Sequence, residues 1–287
     1  MPSAQILKGR IRSVKRTRQI TKAMQLISAA KMRKAQEVTK ASAPYVEEAH
    51  ALLNKISQHV SVKNHPLFSQ RPVKTRLIIF IASDKGLAGA YNANVMRIYT
   101  QQLQEDEKAG VQNATITIGR RASQFVGRIK NVDVLGSYEY LPDYPEGSEL
   151  YAILNSVRTL FTSKDVDAVD LIYTQFISSV KQEAKIVRVL PAGLEEKTGD
   201  SPDATYEPSS EEVLDEVAYR LVGAQIFQAL LDARASEHVM RMVAMKNATD
   251  NANDLIDDLT LEVNKERQGR ITQELAEISG GVEALNS

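Results

Sequence analysis

The sequence predicts an α/β fold: a Rossmann-like central domain carrying a long antiparallel coiled coil built from the chain's own N- and C-terminal helices. Three observations predict it. Strand-like and helix-like segments alternate between about residues 74 and 192. Each end of the chain is a proline-poor run with apolar residues at helical spacing. The two ends also carry opposite charge. The boundaries drawn from these signals are an N-terminal coiled-coil helix over 1–62, an α/β domain over 63–208 and a C-terminal coiled-coil helix over 209–287.

Residues 3 to about 60 read as one helix. No glycine follows Gly9 there, and the only proline between Pro2 and Pro66 is Pro44, a point where the helix could bend or break. Ile20, Ala23, Met24, Ile27 and Ala30, then Tyr45, Ala49, Leu52 and Ile56, supply the apolar spacing. Asn64-His65-Pro66 and Arg71-Pro72 end it.

The middle block changes period. Arg76–Ile81 is a short apolar run that reads as a buried strand, followed by a helix over Ala90–Lys108. A strand over Thr115–Ile118, a helix over Arg120–Arg128, a strand over Val132–Leu135 and a helix over Glu149–Phe161 come next. Strands over Asp167–Phe176 and Glu183–Leu190 close the block as a hairpin through Ile177–Gln182. The alternation predicts a mainly parallel sheet.

Gly199–Pro208 is a polar loop rich in turn formers. Ser209 or Ser210 then offers an N-cap, with Glu211 and Glu212 in the first turn, where the helix dipole favours acids. No proline follows before Ile278. Met242, Met245, Thr249, Ala252, Ile256, Leu259 and Val263 step alternately by three and four, which is a heptad seam. A helix from there to the end would be on the order of 110 Å long and the N-terminal one on the order of 80 Å. Neither fits inside a domain of that size, so the two are expected to pair and to project from it.

The formal net charge is zero. Within residues 1–40, however, eleven basic groups meet only one acid, Glu37, while residues 236–287 carry ten acids and five bases. An acid-free leader of this kind resembles an organellar transit peptide, but it flows without a cleavage-like break into more helix. The absence of cysteine excludes disulfides, thiolate metal sites and a cysteine nucleophile. The longest uncharged apolar run, Leu77–Ala82, is far short of the ~20 residues that a bilayer requires.

Candidate chemistry is sparse. Ser83–Asn92 follows the first strand and opens a helix, where an α/β fold would hold a phosphate, yet it matches neither glycine-rich phosphate motif. Asp250, Asp254, Asp257 and Asp258 share one side of the last helix and read as an acidic stripe facing Arg and Lys rather than a cation site. His50, His59, His65 and His238 form no metal spacing. The basic arm would suit nucleic acid, but no aromatic precedes Tyr45 to stack on a base, and its basic groups are interleaved with packing residues. No catalytic residue, cofactor site or metal site is predicted. Binding or mechanical coupling is favoured over catalysis.

Several long segments carry a resemblance. Ile20–Gln36, the Ser83–Asn92 loop, Ala235–Ala252 and Asn264–Ile278 resemble the γ subunits of the rotary ATP synthases, over essentially the whole chain and in the same order. The resemblance implies a central rotor, one copy per complex. It would have three α and three β subunits around its paired helices, an ε subunit and the c-subunit ring beside its body, no nucleic acid, and membrane contact only through the c ring. It implies contacts to β subunits by Arg267, Gln268, Thr272 and Glu277, and lower on the shaft by Lys85, Gly86 and Asn92. An apolar tip of Ile278, Gly280, Gly281, Val282 and Leu285 would turn in a bearing. The basic face of Lys8, Arg10, Arg12, Lys15, Arg16 and Arg18 would meet acidic β segments, an expectation that rests on charge alone. Ala88 stands where the family often has cysteine, and Gly269-Arg270 stands where small residues are usual. The cysteine insert of the chloroplast form and the related cyanobacterial insert find no match near 195–210. The implied form is bacterial, at the cytoplasmic face of the plasma membrane.

Overall fold

A computed structural model describes residues 4–59, 65–143, 147–192 and 209–286. The polar loop Gly199–Pro208 lies outside them, as do the side chains of Gly280, Gly281, Val282, Leu285, Tyr45, Ala49, Leu52 and Ile56. The chain divides into two compact units, one of Met1–Ser28 with Arg241–Ser287 and one of Ala29–Met240. Helix α1 (Ala4–His59) and helix α5 (Ser210–Asn286) each contribute to both. Among the described residues, no helix is long and apolar enough to cross a membrane.

The larger unit is built on β1 (Thr75–Ile81), α2 (Tyr91–Ala109), β2 (Gln112–Ile118), α3 (Arg120–Val126), β3 (Asp133–Tyr138), α4 (Gly147–Thr162), β4 (Ala168–Phe176) and β5 (Gln182–Leu190). The sheet order is β3-β2-β1-β4-β5. Its first four strands are parallel and β5 runs antiparallel to β4, so the expected closing hairpin is present. Strand β3 extends through Gly136 to Tyr138, past the predicted end at Leu135, and the register shift between Thr115 and Ile116 lies opposite it.

Strand β1 shows why its sequence is a continuous apolar run. Leu77, Ile79 and Ile81 face one core, with Ile153, Val157 and Phe161 of α4 and Leu214, Ala218 and Leu221 of α5. Ile78 and Phe80 face the other, with Val95 and Tyr99 of α2 and Ala122 and Val126 of α3. Successive strand residues point to opposite faces, so a sheet covered on both sides has no polar face to show. Phe80 and Tyr99 stack with ring centroids 4.6 Å apart, and the Tyr99 hydroxyl meets Thr115 Oγ1 at 2.8 Å. Where the buried strands begin, charge is paired: Arg76 bonds Asp106 at 2.9 Å and also Asp170, which Arg188 bonds from β5. Losing one partner there would strand a buried charge.

The smaller unit is an antiparallel pair of helical segments. Arg18 donates to Asn253 Oδ1 at 3.2 Å and Thr21 Oγ1 meets Thr249 Oγ1 at 2.8 Å, so numbers rise on one helix as they fall on the other. On α5, Met245, Thr249, Ala252, Ile256 and Leu259 are buried, and Met242 and Val263 are half-buried. On α1 the inward face is Leu7, Ile11, Val14, Arg18, Thr21 and Ser28, again stepping by heptads.

This corrects the apolar stripe read from the sequence. Ile20 is 61% exposed and Ile27 57%, and Ala23 and Ala30 are also exposed; of that set only Met24 is half-buried. A second expectation also changes. Asp250, Asp254, Asp257 and Asp258 are exposed. Two polar links across the seam are the Thr–Thr and Arg–Asn bonds above, and neither is an ion pair. Helix α1 runs through Pro44, which is exposed, without ending there. At the start of α5, Ser209 Oγ accepts from the Glu212 backbone at 3.2 Å, the N-cap that the sequence offered.

Candidate functional site

In an open α/β sheet, ligands gather at the carboxyl ends of the strands where the strand order reverses. Here that place is the crevice between the exits of β1 and β4. The loop leaving β1 is Ser83–Ala90. Ser83 is fully buried; its hydroxyl donates to the Lys85 carbonyl at 2.7 Å and accepts from Asn92 Nδ2 at 2.8 Å, while its backbone N–H donates to Asn92 Oδ1 at 3.1 Å. Asn92, expected as a partner contact, is therefore also the pin that shapes its own loop. Leu87 and Gly89 adopt left-handed backbone, which turns the loop outward; Lys85 and Leu87 stand exposed at its crest.

The next residue inward, Asp84, organises the crevice. Its Oδ1 accepts from the backbone N–H of Arg120 at 3.0 Å and of Tyr140 at 2.9 Å. Its Oδ2 accepts from Arg234 Nη2 at 3.1 Å. Arg234 also donates to the Leu141 carbonyl at 3.0 Å and, through Nη1, to Glu237 at 3.1 Å. One carboxylate thus joins the exits of β1 and β3 and the start of α3 to helix α5. Ser236 Oγ adds a bond to the Thr174 carbonyl of β4 at 3.2 Å.

Helix α5 is buried on every side here. Each residue from Ala229 to Val239 is buried, including Asp232, Arg234, Glu237 and His238. A helix so placed is a core element. The side chains of α5 therefore occupy the crevice where the fold would otherwise receive a phosphate. His238 Nε2 lies 3.6 Å from Asp143 Oδ1, and Asp143 Oδ2 takes Lys31 Nζ of α1 at 2.6 Å. The His238 imidazole, then the Lys31 ammonium, hold the Asp143 carboxyl below the usual carboxylate range against the opposing effect of burial. Asp232 behaves in the opposite way: burial pushes its carboxyl up to about 6, with Gln228 and Lys185 pulling back. No group of three or more His, Cys, Asp or Glu able to hold a metal occurs among the described residues.

The other candidate residues lie in the smaller unit. Lys8, Arg10, Arg12, Lys15 and Arg16 are exposed on α1, whereas Arg18 is half-buried in the seam. Arg267, Gln268, Thr272 and Glu277 are exposed on α5, beyond the end of the buried seam. The Thr272 hydroxyl donates to the Gln268 carbonyl at 2.9 Å and Glu277 accepts from Gln273 at 3.0 Å, so both are held by their own helix. A β-carbon at Gly269 would meet nothing within 4 Å. Sequence reasoning missed Asp84, Arg234 and Asp143, and dismissed His238. The available signal was four ionisable residues within the apolar stretch Ala229–Val239.

Comparison with known proteins gives a consistent answer. The family model for ATP synthase matches residues 3–285. An ATP synthase gamma chain of Macrococcus caseolyticus is 40% identical over 288 residues, covering 99% of this chain and all of that one. One from Ralstonia nicotianae is 38% identical over 292 residues, with 99% and 100% covered. Among solved structures, a chain of the Euglena gracilis mitochondrial ATP synthase (OSCP, F1 and c ring) matches with a TM-score of 0.71 at 17% identity, covering 98% of this chain and 94% of that chain.

Proposed function

Because this chain belongs to the ATP synthase gamma chain family, we infer that it is the central rotor of a proton-translocating F-type ATP synthase, without a catalytic site of its own. The observation that carries this reading is full-length membership in the family, together with a crevice filled by the chain's own helix. The implied partners are three α and three β subunits around the paired helices, an ε subunit, and the c ring as the route to the membrane. A bacterial form would sit at the cytoplasmic face of the plasma membrane. In these terms residues 1–62 and 209–287 are the shaft and 63–208 is the body.

The reading assigns work to surfaces that the fold leaves uncovered. Exposed Ile20, Ala23, Ile27 and Ala30 on α1, and Leu261, Ile271, Leu275 and Ile278 on α5, suit a shaft turning inside an apolar sleeve. Arg267, Gln268, Thr272 and Glu277, and Lys85, Gly86 and Asn92, are the proposed contacts to β subunits. Such contacts must differ among the three β subunits, since only differential contacts shift conformational populations. The exposed basic face of Lys8, Arg10, Arg12, Lys15 and Arg16 would meet acidic β segments, with Arg18 divided between that face and the seam.

The test is ATPase activity of purified α and β subunits with and without this chain, and of the chain alone. Activity that requires the chain but never arises from it alone supports the rotor. Hydrolysis by the chain alone, or failure to associate with α and β, rejects it. Neutralising the five exposed basic residues should weaken coupling, and unchanged torque and coupling would dismiss that face.

A further inference from the structure

We propose that the Asp84–Arg234 node fixes the rotational register of α5 within the larger unit, and so is the contact that passes torque between body and shaft helix. The proposal rests on the rotor reading and adds to it a place where load is carried.

Much of the contact between α5 and the sheet is apolar: Leu214, Ala218, Leu221, Val222, Ile226 and Leu230 pack into the core beneath β1 and β4. Apolar burial holds a helix strongly but without direction, so by itself it resists rotation about the helix axis only through side-chain interlocking. A hydrogen-bonded ion pair is directional; it weakens steeply with misalignment. Arg234 is 7% exposed, and its guanidinium is spread over Asp84, Leu141 and Glu237. Asp84 in turn holds two backbone N–H groups that belong to the body. Turning α5 about its axis would pull Arg234 from Asp84, leaving Arg234 to Glu237 on its own helix and Asp84 to its two backbone donors, and would break the buried ion pair that joins helix to body. The node therefore sets both the angle of α5 and its resistance to slip. Arg234 and Asp84 are positioning residues, acting through the helix on whatever the shaft touches.

The experiment uses inverted membrane vesicles containing the complete synthase, with the wild-type chain, Asp84→Asn, Arg234→Lys, or both. Asp84→Asn keeps an acceptor for Arg120 and Tyr140 but loses the charge; Arg234→Lys keeps the charge but loses the fork. ATP-driven acidification and ATP hydrolysis are measured together and expressed as protons pumped per ATP. Each single variant should raise uncoupled turnover about tenfold, the factor set by loss of one charge-assisted hydrogen bond. The double variant should be no worse than the poorer single one, because both act at one contact.

An unchanged ratio in the variants, even with a lowered melting temperature, would reduce the node to a folding role and overturn the proposal. So would two additive effects. If a variant fails to assemble, amide exchange over 229–239 in the wild-type complex decides: protection kept during turnover supports the node, and protection lost with turnover overturns it. Failure of the wild-type chain to give chain-dependent pumping would sink the rotor reading itself, whereas normal pumping by every variant would sink the node alone.

Discussion

Gly119 lies so close beneath Ala82 that a β-carbon on it would come within 2.1 Å of the Ala82 carbonyl oxygen. The two residues sit where β1 and β2 leave the sheet, and the Ala82 N–H donates to the Ile118 carbonyl at 2.9 Å. Gly119 also has φ +94 and opens α3, the helix whose first N–H groups meet Asp84 and Ser83. Backbone closeness and left-handed geometry both demand glycine there.

Gly119→Ala should therefore cost more than an ordinary surface change, about 3 kcal/mol or above, since backbone on both sides must shift. Denaturant unfolding of the isolated chain measures it. A loss below about 1 kcal/mol would show that the crevice relaxes easily.

The hydroxyls of Thr21 and Thr249 meet at 2.8 Å, yet each also lies within bonding distance of its own helix carbonyl, Arg18 at 3.0 Å and Met245 at 2.8 Å. Two hydroxyl protons cannot serve three bonds. Single replacement by valine should cost about 1 kcal/mol, and the double replacement less than the sum, because the one bond the two hydroxyls share is lost already in either single variant. A double-mutant cycle by thermal melting checks this, and strict additivity would count against it.

Asp232 predicts a pH dependence. Its folded carboxyl is raised to about 6 from the ordinary 3.8. The stability it contributes is full below about pH 4 and is lost as pH rises through 6, where the buried group must ionise. Asp232→Asn should thus be more stable than wild type above pH 6, by about 2–3 kcal/mol, with the gap closing toward pH 4. Melting curves across pH 4–8 measure the difference; a gap independent of pH would refute the assignment.

Asn92 allows the loop pin to be separated from a partner contact. Asn92→Asp keeps an acceptor for the Ser83 N–H but removes the donor to its hydroxyl, whereas Asn92→Ala removes both. The expected order of stability is wild type, then Asp, then Ala, spanning about 1–3 kcal/mol. If coupling in the assembled enzyme follows that same order, Asn92 acts by shaping the loop. Coupling lost equally in both variants would instead favour direct contact with a β subunit.

Much of the fold was legible in local pattern. The strand at Arg76–Ile81 was readable because a strand covered on both faces must be apolar throughout, and α5's seam because Met242 to Val263 keep one period without interruption. The inward face of α1 was not. Its seam uses Arg18, Thr21 and Ser28, while the more apolar Ile20 and Ile27 face outward. Hydropathy identifies a face that wants cover, and on α1 that face is left uncovered within the chain itself.

The sequence by itself determined which segments are helix or strand, an N-cap at Ser209 or Ser210, the parallel sheet with its closing hairpin, and the family. All of these depend on residues near one another or on long contiguous motifs. Tertiary structure alone decided that Asp84 meets Arg234 across 150 positions, that Asp143 bridges Lys31 and His238, and which stripe of α1 enters the seam. Those outcomes depend on which surfaces meet after folding. A polar residue selected by a distant partner leaves no periodic trace among its own neighbours.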